Sequence, residues 1–186
     1  MNARLLSASF ALCFACSAAA SSAADKLVLN GSGLRTKPIL GAMYELSLYV
    51  PAEMKGAHPK AIVEDARPME LLLTVRSSMI SRPRFVEATS DGFAKAAKSG
   101  YPSPDVPRFL AQFDGVEFRK GDSISMRFEN GGLVTVFRKP ESKDSKASES
   151  QLGRIPGIDL KRALFAIWLG DVPVQESLKK NLLGID

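Results

Sequence analysis

Cysteine and histidine are nearly missing from this 186-residue chain, which has two Cys and one His. Both thiols, Cys13 and Cys16, fall in an opening stretch of small and apolar residues. Beyond residue 24 there is no cysteine at all, which excludes disulfides, thiol nucleophiles and thiolate metal sites there. His58, beside Pro59, is the one imidazole, too little for a zinc or other transition-metal centre. No serine sits in a G-x-S-x-G elbow, and a Ser-His-Asp triad would have to draw on His58. No basic stripe with interleaved aromatics is present, so no nucleic-acid partner is expected. No repeat period runs through the chain, and no cofactor-binding motif emerges.

A long apolar run is missing too. Residues 5–20 are apolar and small, but at about 16 residues they fall short of the roughly 20 that span a bilayer. Arg4 is the only charge among the first 24 residues, and Ser22-Ala23-Ala24 precedes Asp25. That is the pattern of a secretory signal peptide cut after Ala24. The expected division is therefore a signal peptide at 1–24 and a single domain at 25–186. The expected location is periplasmic or secreted, without stable membrane insertion after cleavage. The formal charge of +5 is spread along the chain.

The stretch at residues 31–50, GSGLRTKPILGAMYELSLYV, organises what remains. Lys26 to Asn30 alternates as a short strand, Gly31-Ser32-Gly33 signals a turn or bulge, and the strand resumes through Arg35. Pro38 and Gly41 mark a turn. Tyr44, Leu46, Leu48 and Val50 then share one strand face. Arg35 is the odd residue: a permanently charged fork with five donors among apolar neighbours needs an anion or water. It either meets a ligand or pairs with an internal carboxylate, Glu45 or Glu70.

Farther on, a short helix is expected near residues 60–64 and a strand at 69–76. A helix at 83–97 carries Phe85 and Phe93 on its apolar stripe, and a second helix opens at Ser103 as N-cap. A strand at 122–129, the Asn130-Gly131 hairpin turn and a return strand at 133–138 follow. Residues 139–151 are polar and serine-rich and read as a solvated loop. Two helices close the chain, one capped by Asp159 and stopped by Gly170, the next starting near Asp171 and Pro173. Strands, two helices, a hairpin and two helices make an α+β order, an antiparallel sheet with helices on one face.

The run from Leu29 to Arg35, with Tyr44 and Leu48-Tyr49-Val50, resembles the opening strands of the chalcone isomerase-like superfamily. Gly121 to Ile124, Asn130-Gly131, Ile155 to Asp159 and Ile167 to Gly170 are similar to its bacterial exported branch. The resemblance implies an open-faced β-sandwich with a ligand cleft between sheet and helices, and no cofactor. It also implies a role for Arg35, which matches the arginine that holds the flavonoid oxygen in the plant enzymes. Those enzymes add a threonine where this chain has Tyr44, a tyrosine and an asparagine on a helix where it has Phe85 and about Gly92, and a serine or threonine near Lys161. The fatty-acid-binding members instead pair the arginine with a tyrosine, as Arg35 and Tyr44 would.

Three readings follow. The first is a non-catalytic protein binding a small amphipathic carboxylate such as a fatty acid through Arg35 and Tyr44. The second is an isomerase, an intramolecular lyase, in which Arg35 stabilises an oxyanion. The third is a periplasmic interaction domain with a vestigial, sealed cleft. Under each, Trp168 is expected in the core and His58 at the surface.

Overall fold

The computed structural model describes residues 26–143 and 145–185. The expected signal peptide at 1–24 lies outside the described residues. Six strands form one antiparallel meander in chain order: β1 (Leu27–Lys37), β2 (Gly41–Pro51), β3 (Met69–Val75), β4 (Ser123–Glu129), β5 (Gly132–Lys139) and β6 (Ser148–Pro156). Five helices accompany them: α1 (Pro59–Glu64), α2 (Arg82–Lys98), α3 (Val106–Ala111), α4 (Asp159–Leu169) and α5 (Glu176–Leu183). The fold is the expected α+β open sheet with helices packed on it.

Strict alternation sets which face is covered. Leu46, Leu48 and Val50 on β2 meet Leu71, Leu73 and Val75 on β3 and Ile124, Met126 and Phe128 on β4, all buried. Their register partners on the other face are mostly polar: Ser47 pairs with Leu72 and then Ser125, and Tyr49 with Glu70 and then Arg127. A one-residue slip would exchange the two sets, so the pattern pins the register.

Helix α4 lies at the centre of the helical layer. Every residue from Ala163 to Leu169 is buried, which is what a helix apolar on nearly all sides requires. Asp159 is its first helical residue and Ile158 takes the N-cap position, one residue earlier than the sequence pattern implies. Helix α3 is displaced the other way: Asp105, two residues after Ser103, precedes it, and the Ser103 hydroxyl accepts the Asp105 N–H instead.

Three further expectations need correction. Helix α5 begins at Glu176 with Gln175 as its N-cap, later than the start expected near Asp171 and Pro173. Residues 148–151, expected within the solvated loop at 139–151, instead open β6 and pair along β5. This edge strand buries only Ile155, so it lacks the apolar alternation that marks a strand in sequence. Gly31 and Gly33 do more than shape a bulge. A shift in pairing does fall between Leu29 and Gly31. Yet a Cβ on Gly33 would lie 2.7 Å from the Asn181 Cβ, and one on Gly31 would collide with the Asn181 carbonyl oxygen. The two glycines let α5 press its backbone onto β1. Asn30 completes that joint, donating to the Leu182 carbonyl (2.7 Å) and accepting from the Gly56 N–H (2.8 Å).

Candidate functional site

The β1–β2 hairpin sets Arg35 directly opposite Tyr44 in the strand register. Cross-strand neighbours have Cβ atoms about 5 Å apart, so both side chains project from one patch of sheet. Both line a cavity of about 500 Å³ between the sheet and helices α2 and α4. That lies within the roughly 300–1,000 Å³ of small-molecule sites. Its depth is apolar, with Leu73 and Met126 from the sheet, Phe85 and Phe109 from the helices α2 and α3, and Leu164 and Ile167 from α4.

Arg35 is held by its backbone surroundings and by a residue far away in sequence. Its Nη1 donates to the Thr36 carbonyl at 2.7 Å and to Gln175 Oε1 at 2.9 Å. The Gln175 amide also accepts the Thr36 N–H (3.0 Å) and donates to the Leu34 carbonyl (3.4 Å). A side-chain amide thus takes the place of a neighbouring strand on the open edge of β1, where donors and acceptors would otherwise lack partners. Among the described residues nothing bonds Nε or Nη2, which the guanidinium retains for another partner. Neither carboxylate named as an internal partner takes them: Glu45 pairs with Arg76, and Glu70 accepts from the Ser125 hydroxyl at 2.6 Å.

Tyr44 is fixed through its oxygen. The Trp168 indole N–H donates to the Tyr44 hydroxyl at 3.0 Å. That leaves the phenol proton available to point elsewhere. Burial pushes the Tyr44 phenol above its ordinary value, against smaller downward pulls from the Trp168 bond and the Arg35 charge. The phenol therefore stays protonated and remains a donor. Trp168 is core, as expected, yet it also orients a site residue, and it borders the cavity itself.

The outer lip is polar. Lys37, Arg84 and Lys95 join Arg35, while Glu87 and Asp91 on α2 supply the two acids. Lys37, Leu40 and Met79 on this lip are solvent-exposed, so the cleft is open and not sealed.

The positions that matter for cyclisation fall as follows. Phe85 faces the cavity with no hydroxyl and packs at a tilt against Phe113 and Phe118, ring centres 4.7 and 4.8 Å away. Gly92 also lines it, and a Cβ there would lie 2.8 Å from Ile167 Cγ2, so no larger side chain fits without displacing the Ile167 side chain. Lys161 does not line the cavity. It is fully buried, with its ammonium donating to the carbonyls of Ile62, Val63 (2.9 Å) and Asp65 (2.9 Å) at the end of α1. Thr89 on α2 supplies a hydroxyl along the cavity wall that the sequence reading passes over. Gln175 is the other residue missed. It lies 140 residues from Arg35, in a linker with no pattern of its own. His58 sits at the surface start of α1, its Nδ1 accepting the Lys60 N–H. No group of three or more metal-ligating side chains occurs among the described residues.

Comparison with known proteins agrees with this architecture. A family model described as chalcone isomerase-like matches residues 14–184. No curated protein matches the chain. Among solved structures, the crystal structure of an Arabidopsis thaliana fatty-acid binding protein is similar, with a TM-score of 0.61 at 17% sequence identity. The match covers 86% of this chain and 87% of that one. At such identity the likeness is one of fold.

Proposed function

The chain belongs to the chalcone isomerase-like family, and on that premise we propose that it binds a small amphipathic carboxylate, such as a fatty acid, without converting it. The observation that carries this reading is the Arg35–Tyr44 pair at one end of an apolar cavity, with the guanidinium unpaired by any carboxylate among the described residues. A carboxylate would accept charge-assisted bonds from Arg35 Nε and Nη2 and a further bond from the Tyr44 hydroxyl. The acyl chain would run against Phe85, Leu73, Met126 and Ile167, removing apolar surface from water. The similar plant structure is that of a fatty-acid binding protein, which fits the same chemistry.

Turnover finds less support. Phe85 and Gly92 offer nothing to polarise a ketone or to take a proton, and the two acids at the lip are exposed. The leader pattern at residues 1–24 supports export to the periplasm or outside the cell before the ligand is met. N-terminal sequencing of the purified chain would then read Asp25 first.

Mass spectrometry of the natively purified protein tests the binding reading. A co-purified fatty acid, lost in Arg35→Ala, is the expected result. A ligand-free protein with no fatty-acid affinity, unaltered by Arg35→Ala, would overturn it. Turnover of chalcones or related enones would overturn the non-catalytic part alone.

A further inference from the structure

The tip of the β1–β2 hairpin carries an aliphatic side chain where the fold gains nothing from it. Ile39 is fully exposed, and its backbone lies at φ 68°. A β-branched residue in the left-handed region is a true outlier. The turn is tight, with the Leu40 N–H donating to the Pro38 carbonyl at 2.7 Å. Glycine or asparagine would take that conformation with less strain. Backbone strain of this kind concentrates at functional sites.

The surroundings give the tip a partner. Leu40 and Met79 are exposed by 44% and 38% and stand on the cavity lip next to the tip. Lys37 and Arg84 occupy the same lip, and Arg35 and Lys95 lie along it. None of these four cations has a carboxylate at ion-pair distance among the described residues. Arg84 Nη1 donates to the Met79 carbonyl (3.1 Å), tying α2 to the loop before it. With only Glu87 and Asp91 opposing, the lip is net positive.

We propose that this lip docks on an anionic lipid bilayer, with Ile39, Leu40 and Met79 entering the headgroup layer and the cations meeting lipid phosphates. Apolar tips ringed by lysine and arginine are the chemistry of interfacial attachment. A protein partner would need a pocket shaped to a lone isoleucine, whereas a bilayer accepts it anywhere. No described helix is long and apolar enough to cross a membrane, so the contact is peripheral. Docking does not depend on the fatty-acid reading. If both hold, the cavity mouth faces the membrane and an amphipathic acid passes between them without crossing bulk water.

Sedimentation with vesicles tests this on the chain processed after Ala24. Phosphatidylglycerol-containing vesicles are expected to bind it, pure phosphatidylcholine vesicles weakly, and added salt is expected to release it. Ile39→Asp and Ile39→Gly should each weaken vesicle binding by roughly tenfold. Ile39→Gly should melt no lower than the parent, since glycine suits the positive φ, so unfolding cannot mimic the loss. No binding of the parent to the anionic vesicles, or binding by both variants as tight as the parent's, would overturn the proposal. So would a protein partner lost in Ile39→Asp in place of any vesicle binding. Fatty-acid affinity in solution, measured on the same variants, is expected to persist. In the parent, fatty-acid affinity without vesicle binding refutes docking alone, and vesicle binding without any fatty-acid affinity refutes only the binding reading.

Discussion

Arg35 and Tyr44 face each other across adjacent strands, and each is held by a helix-side residue that leaves its outward donors free. Gln175 grips one Arg35 nitrogen, and Trp168 satisfies the Tyr44 oxygen while leaving its proton. The two anchors come from opposite ends of the α4–α5 connection. The sheet therefore supplies the two donors, and that connection sets their aim. Such pre-placed donors lose little rotamer freedom on binding, which is where affinity for a single carboxylate is otherwise spent.

Removing the donors one at a time should separate their weights. Arg35→Ala removes charge-assisted bonds of about 1.5–3 kcal/mol, roughly ten- to hundredfold in Kd for a long-chain fatty acid. Tyr44→Phe removes a neutral donor and should cost about 0.5–1.5 kcal/mol. Calorimetric titration measures both. Equal affinities in parent and Arg35→Ala would place the carboxylate elsewhere in the cleft.

Gln175 provides a finer test, because two substitutions there act differently. Gln175→Ala frees the guanidinium to move and should weaken binding only a few-fold. Gln175→Glu sets a carboxylate where the amide oxygen lies 2.9 Å from Arg35 Nη1. That internal ion pair competes with the ligand for the same charge. It should lower affinity more than Gln175→Ala, while an uncharged ligand of the same length is little affected. Fluorescence titration with a fatty acid and its methyl ester reads the difference.

The hairpin is the part of the site that a linear reading reaches. Alternation from Tyr44 to Val50, with a turn at Pro38 and Gly41, is enough to bring Arg35 near Tyr44, because two strands joined by a short turn have few registers open to them. Gln175 is not reachable in that way. Nothing in a linker after a helix announces a contact with the first strand, and only the packing of α5 onto β1 brings it there. The same packing explains Gly31 and Gly33, which look like turn residues until Asn181 is placed against them. Strand β6 stays hidden for a different reason. An edge strand exposed on most of its length needs no apolar alternation, so its sequence is indistinguishable from a solvated loop.

Close packing at that joint makes a stability prediction. Gly31→Ala places a methyl into the Asn181 carbonyl, which is backbone and cannot rotate away. The expected loss is about 1–3 kcal/mol by urea unfolding, the usual cost of overpacking. Gly41→Ala serves as the contrast. A Cβ there meets nothing within 4 Å, so its cost is confined to the strain of a residue at φ 73°. If Gly31→Ala proved the milder of the two, α5 would not sit against β1 as described.

Lys161 supplies the last test, and its pH dependence decides between two forces. Burial pushes its ammonium down to about 7, with Asp65 and Glu64 pulling upward and Arg162 downward. Three carbonyls at the end of α1 accept its protons, and these are the groups that a helix C-terminus leaves without partners. Lys161→Met leaves them unsatisfied and should cost about 1–3 kcal/mol. In the unfolded chain the amine titrates near its ordinary value of ~10.4. Between about pH 7 and that value the unfolded state binds more protons than the folded one, so the contribution of Lys161 to stability grows as pH rises. Below about pH 7 the amine is charged in both states, and the gap between parent and Lys161→Met should be level. Urea unfolding of both proteins at pH 6, 8 and 9.5 should show that gap widening only at the two higher values. A gap that stays level throughout would mean that the three carbonyls fully offset the cost of burying the charge.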